Sequence, residues 1–463
     1  MSLVGGYSSS SDTDEPLGSQ GATKETNDLV VGNGHQSEDS DDSEQHASRS
    51  KRVKKQGEVG QKIKRIQKRR KSPWASWSSS DEDEEAQNLN SSILNRQDVY
   101  RDDDEPDSKD EGNLTKAQET SEFHGQSQLD YKGRSFLNPP MEENIDFTKE
   151  PLSFRTFLPK KLLHRYAGHG NGTNVLRMLP KTGHLFLSGG NDNQLKIWDM
   201  YHERQLLRDY KGHTKVIRDA NFNKDGAEFV SVSFDQNMKI WDTETGTVKY
   251  RYSFSSTPNC VEYRPTNSNE LVVGLSNSEI RHYDLRVPHK NGLVQIYDHH
   301  LSSIIALKYF PDGSKLISSS EDKSIRIWEN QVNVPIKQIS DTAQYSMPHI
   351  AIHPENNYFA AQSMDNVIYT FSMKPKYKRH SKKKFEGHKC AGYGIGFTFS
   401  PDGRYICSGD TRGQVFIWDW KTKHQLKQLE VPDKKPVTTV AWSPQETSKL
   451  ICGGNGGYIY LYD

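Results

Sequence analysis

The chain has 463 residues, but only 32% are hydrophobic, and eight of its 46 aromatic residues and none of its four cysteines fall within residues 1–150. A packed core is therefore expected in the second part alone. The 61 basic and 61 acidic side chains cancel to a formal net charge of zero, but they sit in blocks, so local charge is the informative quantity. No apolar run approaches the roughly 18 residues of a membrane span, and the N-terminus lacks a secretory core. Cys260, Cys390, Cys407 and Cys452 are widely spaced with no CxxC pair, which argues against a zinc site or a disulfide framework. Buried thiols in a soluble intracellular protein are expected.

Residues 1–128 are rich in Ser, Asp, Glu, Gln, Asn and Lys with almost no periodic apolar positions. Such a composition cannot offset the entropy of ordering the backbone, so this charged tail is expected to be disordered in isolation. Within it, residues 51–71 carry eleven Lys or Arg in two clusters, Lys51, Arg52, Lys54 and Lys55, then Lys68, Arg69, Arg70 and Lys71. Paired basic clusters of this kind read as a nuclear-import signal, with a solvated charge run or salt-sensitive RNA contact as alternatives. Serines beside acidic runs, Ser37–Glu44 and Ser78–Glu85, are candidate phosphorylation sites. Two apolar islands interrupt the tail: Trp74 and Trp77 in SPWASW, then Tyr131, Arg134, Phe136 and Leu137 in DYKGRSFL. Large aromatics are costly to leave in water, so both islands read as partner-docking motifs, with self-burial as the alternative. Residues 129–150 are accordingly assigned as a docking segment that orders on binding, and residues 151–463 as the folded domain.

From Leu162 onward a strand ending in an aromatic residue followed by an acid or serine recurs. The pairs are Trp198-Asp199, Trp241-Asp242, Tyr283-Asp284, Trp328-Glu329, Phe371-Ser372, Trp418-Asp419 and Tyr462-Asp463, at intervals of 43, 42, 45, 43, 47 and 44 residues. Gly-His stands upstream at Gly168-His169, Gly212-His213 and Gly387-His388, with His300 replacing the pair. This is the WD-repeat signature. Each unit reads as four antiparallel strands, for example VIRDANF, EFVSVS and MKIWD between turn residues. One such blade cannot bury both its faces, so seven units predict an all-β, seven-bladed propeller closed around a channel.

The seventh unit ends at Asp463 without an outer strand, while residues 161–169 (KLLHRYAGH) match residues 205–213 (QLLRDYKGH), where one blade runs into the next. The ring is therefore expected to close by pairing Lys161–Tyr166 with Ile459–Tyr462. Asp192, Asp235, Asp322 and Asp365 each lie six residues before the aromatic, in the turn that the Gly-His imidazole faces. They predict hydrogen-bonded tetrads: His169, Ser188, Asp192 and Trp198 in the first blade, and His213, Ser233 (or Ser231), Asp235 and Trp241 in the second. His300, Asp322 and Trp328 belong to the fourth and His388 and Trp418 to the sixth. Such bonds stabilise a fold, and a set repeated in several blades is not how a single Ser/His/Asp active site is built, so no enzyme, metal, cofactor or small-molecule substrate is expected. Asn277, Arg412 and Gly456 replace the aspartate in the third, sixth and seventh units.

Between the fifth and sixth units lie Lys374, Lys376, Lys378, Arg379, Lys382, Lys383 and Lys384. A basic loop on a rigid scaffold suits RNA or an acidic protein, with Tyr377 offering a stacking face; a solvated hairpin is the alternative.

Several strings carry a narrower likeness: DYKGRSFL (130–137), LPKKLLH (158–164), IRDANFN (217–223), KIWDTETG (239–246), SMP (346–348), AAQSMDNVI (360–368), KKKFEGHKCAGYG (382–394), SPDGRYICSGD (400–410), WDWKT (418–422) and ETSKLI (446–451). Across residues 130–463 the chain resembles the WD-repeat family of second-step pre-mRNA-splicing factors. The resemblance implies a nuclear scaffold of the spliceosome acting around exon ligation, with spliceosomal proteins as partners, contact with snRNA or pre-mRNA open, and RNA performing the chemistry. A WD-repeat scaffold of another assembly, such as a ubiquitin-ligase substrate receptor, is the alternative.

Overall fold

The computed structural model describes residues 119–129, 132–140, 146–287, 292–390 and 392–463. Alternating apolar and polar residues punctuated by turns such as Asn223–Gly226 and Pro311–Gly313 form strands of three to nine residues. Side chains with a period of two bury one face each way, as in Glu228–Ser233 (EFVSVS). The described strands assemble into seven antiparallel sheets, six of four strands and one of five. The innermost strands touch in cyclic order: Thr173–Met178, Ile217–Phe222, Pro258–Arg264, Ile304–Tyr309, His349–Ile352, Phe397–Phe399 and Val437–Trp442, the last returning to the first. The sheets are thus the blades of a closed seven-bladed propeller.

Closure uses the strand identified from the repeat. Leu162–Tyr166 forms the outer strand of the seventh blade, with Leu162 opposite Tyr462, His164 opposite Leu461, Arg165 opposite Tyr460 and Tyr166 opposite Ile459. Lys160 and Lys161 extend the contact by donating their backbone amides to Asp463 O, both at 2.6 Å.

The core lies between blades, because each sheet is apolar on both faces. A recurring aromatic contact explains why the KLLHRY and QLLRDY segments resemble one another. Tyr166 sits 5.5 Å from the Trp198 ring, Tyr210 5.6 Å from Trp241, and Tyr297 5.2 Å from Trp328. In each case the outer strand of one blade packs on the tryptophan of the next, and Tyr166 and Tyr210 donate their hydroxyls to Asp199 O and Thr243 O. All four cysteines are free and buried, and burial pushes the Cys390 thiol up to about 12.

Ordered structure begins earlier in the chain than its composition indicates. Thr120–Phe123, assigned from sequence to the charged tail, pairs antiparallel with the first blade's outer strand, Leu206–Lys211, as a fifth strand. Ser121 and Phe123 turn inward: Arg208 donates to the Ser121 hydroxyl, and Phe123 packs 5.4 Å from Phe136. Glu119, just before this strand, reaches the second blade and pairs with Lys239 at 2.5 Å and with Arg251. Further along, residues 147–161 cross the turns of the sixth, seventh and first blades. Phe147 is buried against Tyr201, Leu152 N donates to Pro401 O, Thr156 N to Asp402, and Phe157 N to Thr447 O.

Candidate functional site

Three blades contain a closed His-Ser-Asp-Trp set. In the first, His169 Nδ1 lies 2.8 Å from Asp192 and its Nε2 2.7 Å from Ser188, whose hydroxyl also accepts the Trp198 indole N–H at 2.8 Å. The second blade repeats this with His213, Asp235, Ser231 and Trp241 at 2.8, 2.8 and 2.9 Å. The fourth repeats it with His300, Asp322, Ser318 and Trp328 at 2.8, 2.7 and 2.8 Å. Burial alone would raise the carboxyls of Asp192, Asp235 and Asp322, but hydrogen bonds from histidine and nearby donors outweigh it and hold all three below the ordinary range. The three serines are fully buried and already bonded on two sides, so none of the three is an open nucleophile.

Four expected members of these sets, Ser233, Asp365, His388 and Trp418, take other partners. The second blade uses Ser231, not Ser233: Ser233 is two residues nearer the turn, where its hydroxyl donates to Lys215 O and accepts the Asp235 amide. Register decides this, since Ser231 lies opposite Lys239, two residues before Trp241, as Ser188 lies opposite Lys196. His388 and Trp418 form no tetrad. With Arg412 at the aspartate position, His388 Nε2 turns to Gln362 Oε1 of the fifth blade at 2.9 Å, and the Trp418 indole donates to Glu386 O at 3.1 Å. Asp365 is bonded instead by the Tyr369 hydroxyl. A serine stands ten residues before the tryptophan in all three closed sets, but Ser408 stands at the same offset from Trp418 in the sixth blade, so that offset alone does not single out a closed set.

The basic stretch is a turn followed by an edge strand. Lys374, Lys376 and Lys378 lie in the turn, and Arg379, Lys382, Lys383 and Lys384 belong to Arg379–Phe385, the fifth blade's outer strand. Such lysines on an unpaired edge also discourage strand addition. Tyr377 offers no stacking face: it is 5% exposed and packs against Phe310, because the turn folds its ring into the core between the fourth and fifth blades. Lys383 stands apart from its neighbours, 3.5 Å over the Trp420 ring and 5.3 Å from Tyr358, and burial pushes its amine down to about 8. Arg379 faces Asp341 at 3.8 Å, and Lys384 pairs with Glu386 at 2.5 Å. The sixth blade extends the patch, for Lys423 donates to Lys382 O at 3.3 Å and Lys421 is exposed beside it.

Comparison with known proteins places this architecture. The family described as "WD domain, G-beta repeat" matches residues 160–199, 204–242, 291–329 and 379–419. "Pre-mRNA-processing factor 17" of Saccharomyces cerevisiae is 61% identical over 346 residues, covering 75% of this chain and 76% of that protein. The human protein of the same name is 37% identical over 348 residues, covering 75% of this chain and 59% of the human one. The chain belongs to the pre-mRNA-processing factor 17 family. "WD repeat-containing protein 25" of Mus musculus is more distant, at 26% identity over 284 residues, 59% of this chain and 52% of that protein.

The four segments matched by the repeat family are the first, second, fourth and sixth blades, those whose preceding loop carries a histidine. In this family member, part of the second docking island turns back on the protein itself. Phe136 and Leu137 are half-buried on the first blade's core, the Phe136 carbonyl faces His184 Nε2 at 3.2 Å, and Arg134 lines a cleft of about 370 Å³ between residues 125–140 and that blade. Trp74, Trp77, Tyr131 and the basic clusters Lys51–Lys55 and Lys68–Lys71 lie outside the described residues. Glu122, His124 and Asp209 converge on the added strand, where Lys211 already bonds the Asp209 carboxylate at 2.8 Å. Sequence reading missed the Glu119 clamp, Gln362, and the contribution of Lys421 and Lys423.

Proposed function

We propose that the chain is a non-catalytic scaffold of the spliceosome that acts in pre-mRNA splicing around exon ligation. The observation that carries this reading is the 61% identity to a pre-mRNA-processing factor across a span of 346 residues. A closed ring whose histidine, serine and aspartate side chains are committed to one another supports binding over chemistry, since it offers rigid surfaces and no assembled reaction centre. Spliceosomal proteins are the partners, engaged by the propeller and by the N-terminal region, with Trp74 and Trp77 as docking aromatics. The basic clusters at residues 51–71 serve nuclear import, placing the protein in the nucleus.

Depletion of the protein from a splicing extract tests the reading. First-step intermediates should accumulate, and the purified full-length chain should restore exon ligation. Normal exon ligation in a fully depleted extract defeats the proposal. Purification of the tagged protein should bring down snRNAs and splicing factors, whereas recovery of cullin adaptors would favour a ubiquitin-ligase receptor instead.

A further inference from the structure

We propose that Lys374, Lys376, Lys378 and Lys382 of the fifth blade, with Lys421 and Lys423 of the sixth, form a track for the sugar–phosphate backbone of double-helical RNA. The inference rests on the scaffold reading only for the source of that RNA. All six side chains are exposed, and none pairs with a carboxylate among the described residues. Of the nearby acids, Asp341 and Glu386 are engaged by Arg379 and Lys384, Asp419 accepts the backbone amide of Lys421, and Asp419 and Glu355 act on Lys383, so six exposed ammonium groups outnumber the carboxylates left to face them. The track is also held in place. The buried Tyr377 ring pins the turn from beneath, Tyr377 N donates to Lys374 O at 3.0 Å, and Lys423 ties the sixth blade's turn to the fifth blade's edge strand.

Its chemistry selects among partners. Proteins that hold single-stranded RNA combine cations with exposed aromatic rings on which unstacked bases rest. Here Tyr377 is buried, Trp420 is 4% exposed, and Lys383 covers a face of the Trp420 ring. Among the described rings of the patch His380 is exposed, and it meets Tyr358 edge-on at 5.4 Å; with so small a stacking surface, recognition falls mainly to phosphates and ribose, the parts that an A-form helix displays. An acidic protein would require apolar anchors at the centre of its contact, and the one large exposed apolar side chain on the sixth blade's adjoining outer strand is Leu426. Phosphate neutralisation requires charge alone.

The test uses the full-length chain and a variant carrying Lys→Gln at 374, 378, 382 and 421 and Lys→Asn at 376 and 423, where φ is 97° and 66° and asparagine tolerates the left-handed conformation. Binding is measured against an RNA hairpin, a single strand of equal length and an acidic peptide, from 50 to 200 mM salt. The basic clusters of residues 51–71 contribute equally to both proteins, so the difference between the proteins is the readout. If all six contacts form, the variant should melt as the parent does, lose more than about tenfold in hairpin affinity, and show a log–log salt slope shallower by about 5. Photocrosslinks from the hairpin should fall on residues 374–384 and 421–424 of the parent. Equal hairpin affinity and slope for the two proteins overturns the inference. So does a parent that prefers the single strand or the acidic peptide through this patch. Add-back of the parent to a depleted splicing extract reports on the scaffold reading separately, since exon ligation can be restored whichever way the hairpin result falls.

Discussion

Removing the Tyr166 side chain tests whether the ring depends on its N-terminal strand. The residue is 1% exposed, its ring lies 5.1 Å from Phe186 and 5.5 Å from Trp198, and its hydroxyl bonds Asp199 O at 3.0 Å. Truncating a buried aromatic to alanine costs about 3 to 5 kcal/mol, and the lost hydrogen bond about 1 kcal/mol more. At about 2 °C per kcal/mol for a large domain, Tyr166→Ala should lower the Tm by roughly 10 °C. Tyr210→Ala removes an equivalent ring and hydroxyl from a strand that is not the closing one, so its local loss should be similar. The two should differ in cooperativity. Tyr166 holds the strand that carries the N-terminal side of the domain into the sheet of its last blade, so its loss should broaden the calorimetric transition, whereas Tyr210→Ala should leave it sharp. A chain beginning at Gly168 lacks the whole strand, leaves Ile459–Tyr462 unpaired along its outer side, and should melt lower still. If it melts as hot and as cooperatively as one beginning at Phe154, closure does not rest on residues 162–166.

Ser231→Ala should destabilise the protein by about 1 to 3 kcal/mol, because it leaves His213 Nε2 and the Trp241 indole N–H without their partner inside the core. Ser233→Ala should leave the Trp241 indole N–H resonance in place, while Ser231→Ala should shift it; the reverse would restore Ser233 to the tetrad. Stability should also depend on mild acid. Burial holds His184 and His388 down to about 4 in the folded protein, against roughly 6.5 when unfolded. The unfolded chain therefore binds more protons between these values, and stability falls as pH drops from about 6.5 to 4, by up to about 3 kcal/mol per histidine. Asp192, Asp235 and Asp322, held below the ordinary carboxylate range, add a second loss as pH falls below about 4. Urea midpoints measured from pH 7 to 3 check this, with His388→Gln flattening the upper part of the curve. A midpoint that stays constant down to pH 4.5 would contradict the buried, neutral state of these imidazoles.

The amino-acid sequence determined the large-scale plan because its signals are local and repeated. Seven aromatic-acid or aromatic-serine positions at near-constant spacing require seven blades, and the likeness of KLLHRY to QLLRDY names the strand that closes them, since both face a following tryptophan. Where a single short segment had to be judged by itself, composition was a poor guide. Thr120–Phe123 is too short to show a period, and only the open edge of Leu206–Lys211 makes it a strand. Tyr377 lies among lysines yet points inward, because the turn that carries it folds over Phe310. Ser231 and Ser233 share one face by the period of two, and only the register against Lys239 and Trp241 separates them. Tertiary structure alone brought Lys421 and Lys423 beside Lys382, about forty residues away in the chain. Ring closure sets blade beside blade, so its contacts join residues that no local pattern relates.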